Sequence, residues 1–283
     1  MSSRLLKSFA LLLLAGALVP HARAQASALP NANPDADSND PDRGRKLLDQ
    51  MVAALGGDKW LNLNTWVEFG QTAHFYKGQP DPYIVGLEEY HRREPFAVRI
   101  VSVSHFSVIP GMPGSNYRDV ATVWDDKNGY EVTYKGKKEL PKDDVAEFER
   151  QQRHTLDVVV RKWLKQPGTI VTYEGTDQVQ RRLAQKVSII NGENDAVELD
   201  LEESTHLPLS LTFRARNQTY KDFDTETLEY SDYHPIQGIM TALTLTRSKN
   251  GEMTSQRFLK NVDYEVRVPD DMFNPDRPLD KKK

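Results

Sequence analysis

The sequence contains no cysteine among its 283 residues. That absence excludes disulfide stapling, a thiol nucleophile, a lipidated cysteine and any metal site built from thiolates. Signatures of catalysis are missing too: there is no Gly-x-Ser-x-Gly elbow, no glycine-rich phosphate loop and no His-Glu-x-x-His pair. No segment beyond residue 19 has the length or apolarity of a membrane span. An excess of basic charge is also lacking, the formal charge being −4, which argues against nucleic acid as the main partner. With 38% hydrophobic and 28% charged residues the composition is globular, neither disordered nor fibrous.

What is present begins with a secretion signal. Arg4 and Lys7 precede the apolar run from Phe9 to Val19, Pro20 breaks it, and Ala22-Arg23-Ala24 supplies the small-x-small pattern of a cleavage site. Residues 1–24 are therefore expected to be a signal peptide cleaved after Ala24, since the run is too short for a stable anchor. Removing Arg4, Lys7 and Arg23 takes the formal charge from −4 to −7. The bacterial style of the signal and the lack of cysteine point to the periplasm. Residues 25–40 are small, polar and proline-broken, and read as a flexible leader. Residues 41–277 form one expected domain, and 278–283 a solvated tail.

Hydrophobic periodicity gives two helical regions and much sheet. The first helix is capped by Asp40, has Pro41 at its first position and ends at Gly56-Gly57. Leu47, Leu48, Met51, Val52 and Leu55 share one of its faces. The second region runs from Pro141 to about Lys165, with Val145, Phe148, Leu156, Val159, Val160, Trp163 and Leu164 as its apolar stripe. The polar stretch Glu149 to His154 suggests a break there. Elsewhere apolar residues alternate, as Val67, Phe69, Ala73 and Phe75 do against Glu68, Thr72 and His74. Turn sequences at 126–129, 191–194 and 249–252 connect hairpins. The expectation is a mainly β (α+β) fold: a half-open antiparallel barrel of about ten or eleven strands, covered by amphipathic helices.

The histidines after the signal (His74, His91, His105, His154, His206, His234) are scattered, and none lies at ligand spacing from another. Neither Asp143-Asp144 nor Glu202-Glu203 fits an acid/base pair, the first suiting a helix first turn and the second pointing to opposite faces of a strand. No enzyme activity, metal or cofactor is expected. The aromatic residues Trp60, Trp66, Trp124, Trp163, Phe69, Phe75, Phe96 and Phe106 either fill a core or line a cavity for an apolar ligand.

Four segments carry a resemblance. Glu88-Glu-Tyr-His-Arg-Arg-Glu-Pro-Phe-Ala-Val-Arg99 and Ala121-Thr-Val-Trp-Asp-Asp-Lys-Asn-Gly-Tyr-Glu-Val132 are similar to successive hairpins of the LolA/LolB-like periplasmic carriers that sort outer-membrane lipoproteins. Leu199–Leu209 and Tyr230–Ile239 look like hairpins of secreted members of that superfamily. The order of signal, helix ending in Gly-Gly, sheet, helical lid and sheet agrees over roughly residues 42 to 275. The resemblance implies an unclosed barrel that binds acyl chains beneath a helical lid. The family's lid-latching basic residue corresponds to Arg93, although here Glu94 separates it from Pro95.

The resulting expectation is a carrier without covalent chemistry. Its ligand is an acyl chain of a lipid or lipoprotein, and its partner a membrane-associated donor or acceptor protein. Phe69, Phe75, Leu87, Phe96, Val98, Leu199, Leu211 and Leu243 would line the cavity beneath Leu156, Val159 and Trp163, with Arg93 contacting the lid. The alternative is a packed barrel whose loops, such as 105–117, dock a partner.

Overall fold

The computed structural model describes residues 42–106, 115–217, 220 and 222–279. The expected signal peptide, its cleavage site, the leader, Asp40, Pro41, most of the 105–117 loop and the last residues of the tail lie outside them. Helix α1 (Arg43–Leu55) presents Leu47, Leu48, Met51 and Leu55 to the interior, the stripe that its periodicity requires. It ends at Gly56, whose φ of 127° a side chain would strain. The short α2 (Asp58–Asn62) follows and buries Trp60.

Six strands come next: β1 (Thr65–Tyr76), β2 (Gln79–Arg92), β3 (Ala97–Phe106), β4 (Ser115–Asp125), β5 (Gly129–Thr133) and β6 (Gly136–Glu139). Helices α3 (Lys142–Arg153) and α4 (Leu156–Arg161) and a 3-10 turn at Trp163–Lys165 interrupt the sheet. Seven more strands complete it: β7 (Ile170–Val179), β8 (Arg182–Ile190), β9 (Ala196–Glu202), β10 (Pro208–Arg216), β11 (Phe223–Ile236), β12 (Ile239–Lys249) and β13 (Glu252–Asp263). The break expected within 149–154 falls at His154–Thr155, where Thr155 leaves the helical region and accepts a bond from the Val158 N–H.

Among the described residues, thirteen strands form one antiparallel sheet in the order β6-β5-β4-β3-β2-β1-β13-β12-β11-β10-β9-β8-β7. The first and last strands pair in its middle, and β6 and β7 are its two ends, so the barrel is not closed. Helices α3 and α4 form the connection between those ends. The half-open barrel is therefore as expected, with more strands than the ten or eleven anticipated. Two of the thirteen, β5 and β6, are short, and β6 reads Gly-Lys-Lys-Glu, which carries no apolar alternation to detect.

The main core lies between the helices and one face of β8 to β12. Leu47, Leu48 and Met51 of α1 and Leu156, Val159, Val160 and Trp163 pack with Val187, Ile189, Leu199, Leu201, Leu211 and Phe213. Leu199 and Val159 have no exposed surface and Leu211 has 1%.

The other half of the sheet is buried on its opposite face as well. After β13 the chain crosses that face. Val266, Val268, Met272 and Phe273 pack on Val67, Phe69, Tyr90 and Ala97, and Leu279 packs near Val101, Ala121, Val123 and Val132. Arg99 is buried there and donates to the Met272 and Arg277 carbonyls.

Truncating Leu199→Ala is expected to lower the unfolding free energy by about 3 kcal/mol in urea titration. A loss under about 1 kcal/mol would mean that the interior around it is already loose.

Candidate functional site

Two adjoining cavities lie where the β2–β3 turn meets α3 and α4. Phe96 and Phe148 line one cavity of about 340 Å³ with Val158, Lys162 and Trp163. A second, of about 180 Å³, adjoins it and shares Phe96, Gln152, Val158 and Lys162. Its wall adds Trp66, His91, Arg93, Val98, Asp157 and Arg161. The larger volume falls within the usual range for small-molecule sites, and the smaller one falls below it.

Stacked rings build the walls. Trp124 lies 4.0 Å from Phe148 with the planes 8° apart, and Phe96 leans on Phe148 at 6.2 Å. Gly129, opposite Trp124 in the β4–β5 ladder, is what leaves room for this indole, because a Cβ there would overlap its ring. On the other side His154 stacks on Phe213 at 4.0 Å. Its ring nitrogens lie 2.7 Å from the Arg150 carbonyl and 2.9 Å from Asp195 Oδ1, so this histidine is structural.

Arg93 ties the site together. Its guanidinium donates to the carbonyls of Trp60 at 2.7 Å and Leu63 at 2.6 Å, and its Nη2 lies 2.7 Å from Asp157 Oδ1 on α4. It also sits over the rings of Trp60 and Trp66, at 5.5 and 5.3 Å from their centroids. Burial draws its pKa down to about 10 against the pull of Asp157, which leaves it charged at neutral pH. One side chain thus joins the end of α2, the β2–β3 turn and α4. The Arg93 position picked out by resemblance is, in space, a contact to α4.

Behind the smaller cavity lies a buried charge cluster. His91 stacks on Trp66 at 4.5 Å and 3°, and its Nε2 lies 3.2 Å from Glu89 Oε2 and 3.7 Å from Glu68 Oε2. Trp66 Nε1 donates to Glu68 at 2.8 Å, and Arg257 reaches both Glu68 and Glu89. Burial alone would raise the Glu68 pKa, but Arg257, His91 and Trp66 outweigh it and hold it at about 2. Burial would likewise lower that of His91, but Glu68 and Glu89 carry it up to about 9. Among the described residues this is the one group of three with metal-ligand geometry. Its carboxylates already serve Arg257 and His91, so a cation would have to displace the guanidinium.

The expected site residues divide into three groups. Phe96, Val98 and Trp163 line the cavities. Leu156, Val159, Leu199 and Leu211 belong to the packed main core instead, and half-buried Leu243 lies on β12 two residues from Leu245, which packs against that core. Phe69, Phe75 and Leu87 are elsewhere, Phe69 and Leu87 lining a separate open cavity of about 440 Å³ with Gly70, Ile84 and Val103. Phe69 packs under the C-terminal segment, on the face opposite Trp66 and Glu68. Phe75 pairs with Pro80 in the part of the β1–β2 hairpin that extends past β13 and β3. Leu87 is buried beside Gly70, away from α4.

The reason for Phe69 is physical. Both faces of β1 carry apolar groups, Trp66 on one and Val67 and Phe69 on the other, so alternation fixes two faces without saying which one the helices cover. Sequence reading missed Phe148, Asp157 and Arg161 at the cavities, and nothing in their local pattern marks them as facing a space.

No family model and no curated protein matches the chain. Solved structures do. A DUF1329 family protein from Desulfovibrio piger aligns at 12% identity with a TM-score of 0.54, over 81% of this chain and 96% of its own. An outer membrane lipoprotein-sorting protein domain from Vibrio parahaemolyticus aligns at 10% identity and 0.50, over 83% and 97%. A LolA superfamily protein from Nitrosomonas europaea aligns at 9% and 0.48, over 82% and 97%. The likeness to the first two shows the fold, the half-open antiparallel barrel that the sequence resemblance implies.

The charge cluster sets an expected pH response. His91 has a folded-state pKa above its ordinary 6.5, so its contribution is complete below pH 6.5 and is lost as the pH rises through about 9. Glu68 contributes fully above 4.5 and loses its share as the pH falls toward about 2. Stability from this cluster is therefore greatest between 4.5 and 6.5. Urea unfolding of the wild type should weaken from pH 6.5 to 9, and His91→Gln should flatten most of that decline. An equal decline in the variant would remove His91 as its source.

Proposed function

We propose that the protein is a periplasmic carrier that shelters an acyl chain of a lipid or lipoprotein between the β2–β3 turn and helices α3 and α4. The observation that carries this reading is the pair of adjoining cavities, walled by Trp66, Phe96, Val98, Phe148, Val158 and Trp163 and covered by the segment that joins the sheet's two ends. Burial of a chain in that space is worth about 0.8 kcal/mol per methylene. The likeness to a lipoprotein-sorting domain supports the reading at the level of fold. No helix among the described residues is long and apolar enough to cross a membrane.

In this reading the main core between α1 and β8–β12 is a fixed support, and the lid is α3–α4. Arg93 latches it. Loading and release proceed by parting Arg93 from Asp157, which lets α4 move away from Phe96 and Val98. The signal peptide places the carrier in the periplasm, and a membrane-associated donor or acceptor protein exchanges the ligand. No bond is made or broken, so the protein acts by burial and exposure alone.

Titration of the purified mature protein with N-phenyl-1-naphthylamine tests the reading, together with mass spectrometry of its organic extract. Probe binding that Phe96→Asp weakens at least about ten-fold, with circular dichroism unchanged, is the expected result. The exposed Leu183→Asp should leave binding intact. Absence of probe binding, or equal binding by both variants, would overturn the proposal.

Arg93→Met is expected to cost about 2–3 kcal/mol and to speed amide exchange across 156–161. Unchanged exchange there would mean that Arg93 is no latch.

A further inference from the structure

The two cavities differ in how their charges are answered. Asp125, Asp126, Glu149 and Glu193 at the larger one face Arg153 and Lys162. The smaller one reverses the balance, with His91, Arg92, Arg93, Arg161 and Lys162 against Glu94 and Asp157. Most of its cations are already matched. Arg92 pairs with Asp270 at 2.9 Å, Arg93 with Asp157, and His91 with Glu89.

Arg161 and Lys162 have no such close partner and act on Asp157 only at longer range. Neither is ion-paired among the described residues, and the one hydrogen bond of the Arg161 side chain is a 3.3 Å contact from Nη1 to the Leu63 carbonyl. A guanidinium has five donors in a planar fork, so most of this one has no protein acceptor. Arg161 is half-buried in the cavity wall, whereas Lys162 is exposed and borders both cavities. The nearby carboxylate, Asp157, is engaged by Arg93, and Glu94 is exposed.

A neutral chain entering this space would strip water from Arg161 without replacing it, a desolvation that the one carboxylate of Asp157, shared with Arg93 and Lys162, offsets only in part. A ligand that brings its own negative charge removes that penalty. It also gains a charge-assisted, two-toothed contact to the guanidinium, with the ammonium of Lys162 at the rim. We infer that the carried molecule is an anionic amphiphile whose carboxylate or phosphate is held by Arg161 and Lys162, while its chain runs along Trp66, Phe96, Val98 and Val158. This rests on the carrier reading and specifies its ligand class.

The test is displacement of N-phenyl-1-naphthylamine, a neutral probe, from the mature protein at low salt. The competitors are oleate, oleoyl lysophosphatidate and oleyl alcohol, which share one chain and differ in the head. At least one anion is expected to compete at about ten-fold lower concentration than the alcohol, and the better of the two identifies carboxylate or phosphate as the source. Added salt should shrink the advantage.

In the double variant Arg161→Gln/Lys162→Gln the ratio of anion to alcohol should fall to about one, and Arg161→Lys should restore part of it. Thermal melting of both variants checks that the fold is kept. Equal competition by alcohol and anions in the wild type overturns this inference and leaves the carrier reading standing. A wild-type advantage that persists in the double variant overturns the assignment to these two residues. No probe binding at all defeats the carrier reading itself.

Discussion

Everything in this molecule depends on how one very long sheet covers its apolar face. Thirteen strands in a single antiparallel ladder cannot stay flat and exposed, and the chain answers by making the link between the two end strands helical. Because β6 and β7 are joined through α3 and α4, the cover is fastened to both edges of what it covers. Helix α1 closes the β7–β8 and β12 side, and the result there is dense packing, with Met51, Val159, Leu199 and Leu201 wholly removed from solvent. Density on one side leaves the unfilled volume to the other, part of it beneath the helices beside Phe96 and Trp66.

That second side is held by polar contacts rather than by apolar packing alone. Arg93 answers two main-chain carbonyls and one carboxylate, and Arg150 of α3 reaches buried Glu226 on β11. Buried pairs of this kind add little net stability compared with apolar replacements, yet they are costly to break singly. They fit an element that has one defined closed position and can still leave it. The Glu68–Glu89–His91–Arg257 group has the same character: two negative and two positive charges, each answered within the sheet, forming a rigid floor under the smaller cavity.

The architecture was largely legible because its signals are local. The stripe of Leu47, Leu48, Met51 and Leu55 with its Gly-Gly stop defines α1, and the Asn-Gly turns at 128–129 and 250–251 define two of the hairpins. Leu156, Val159, Leu199 and Leu211 lie together in a filled core and not in the wall of a space, while Trp163 belongs to both. Two things were hidden. Whether a group of apolar side chains leaves a void depends on sub-ångström packing that no periodicity encodes. The role of residues 264–279 as a cover for β1 to β5 was equally invisible, because Val266, Val268, Met272 and Phe273 sit in an irregular segment whose destination is set only by the face it finds. That cover explains why Val67 and Phe69 turn away from the helices.

The seam between β1 and β13 has a consequence for how the protein comes into being. Its partners, such as Phe69 and Asn261, stand at almost opposite ends of the domain sequence, so this central ladder is the most non-local contact in the sheet and is expected to close late. A chain delivered from its N-terminus would hold β1 to β6 with one long strand edge unsatisfied until the final strand arrives. Such an edge is a template for pairing with other chains. Biogenesis, more than equilibrium stability, is where a sheet of this order is most vulnerable, and a compartment that makes it must shield that edge for the interval.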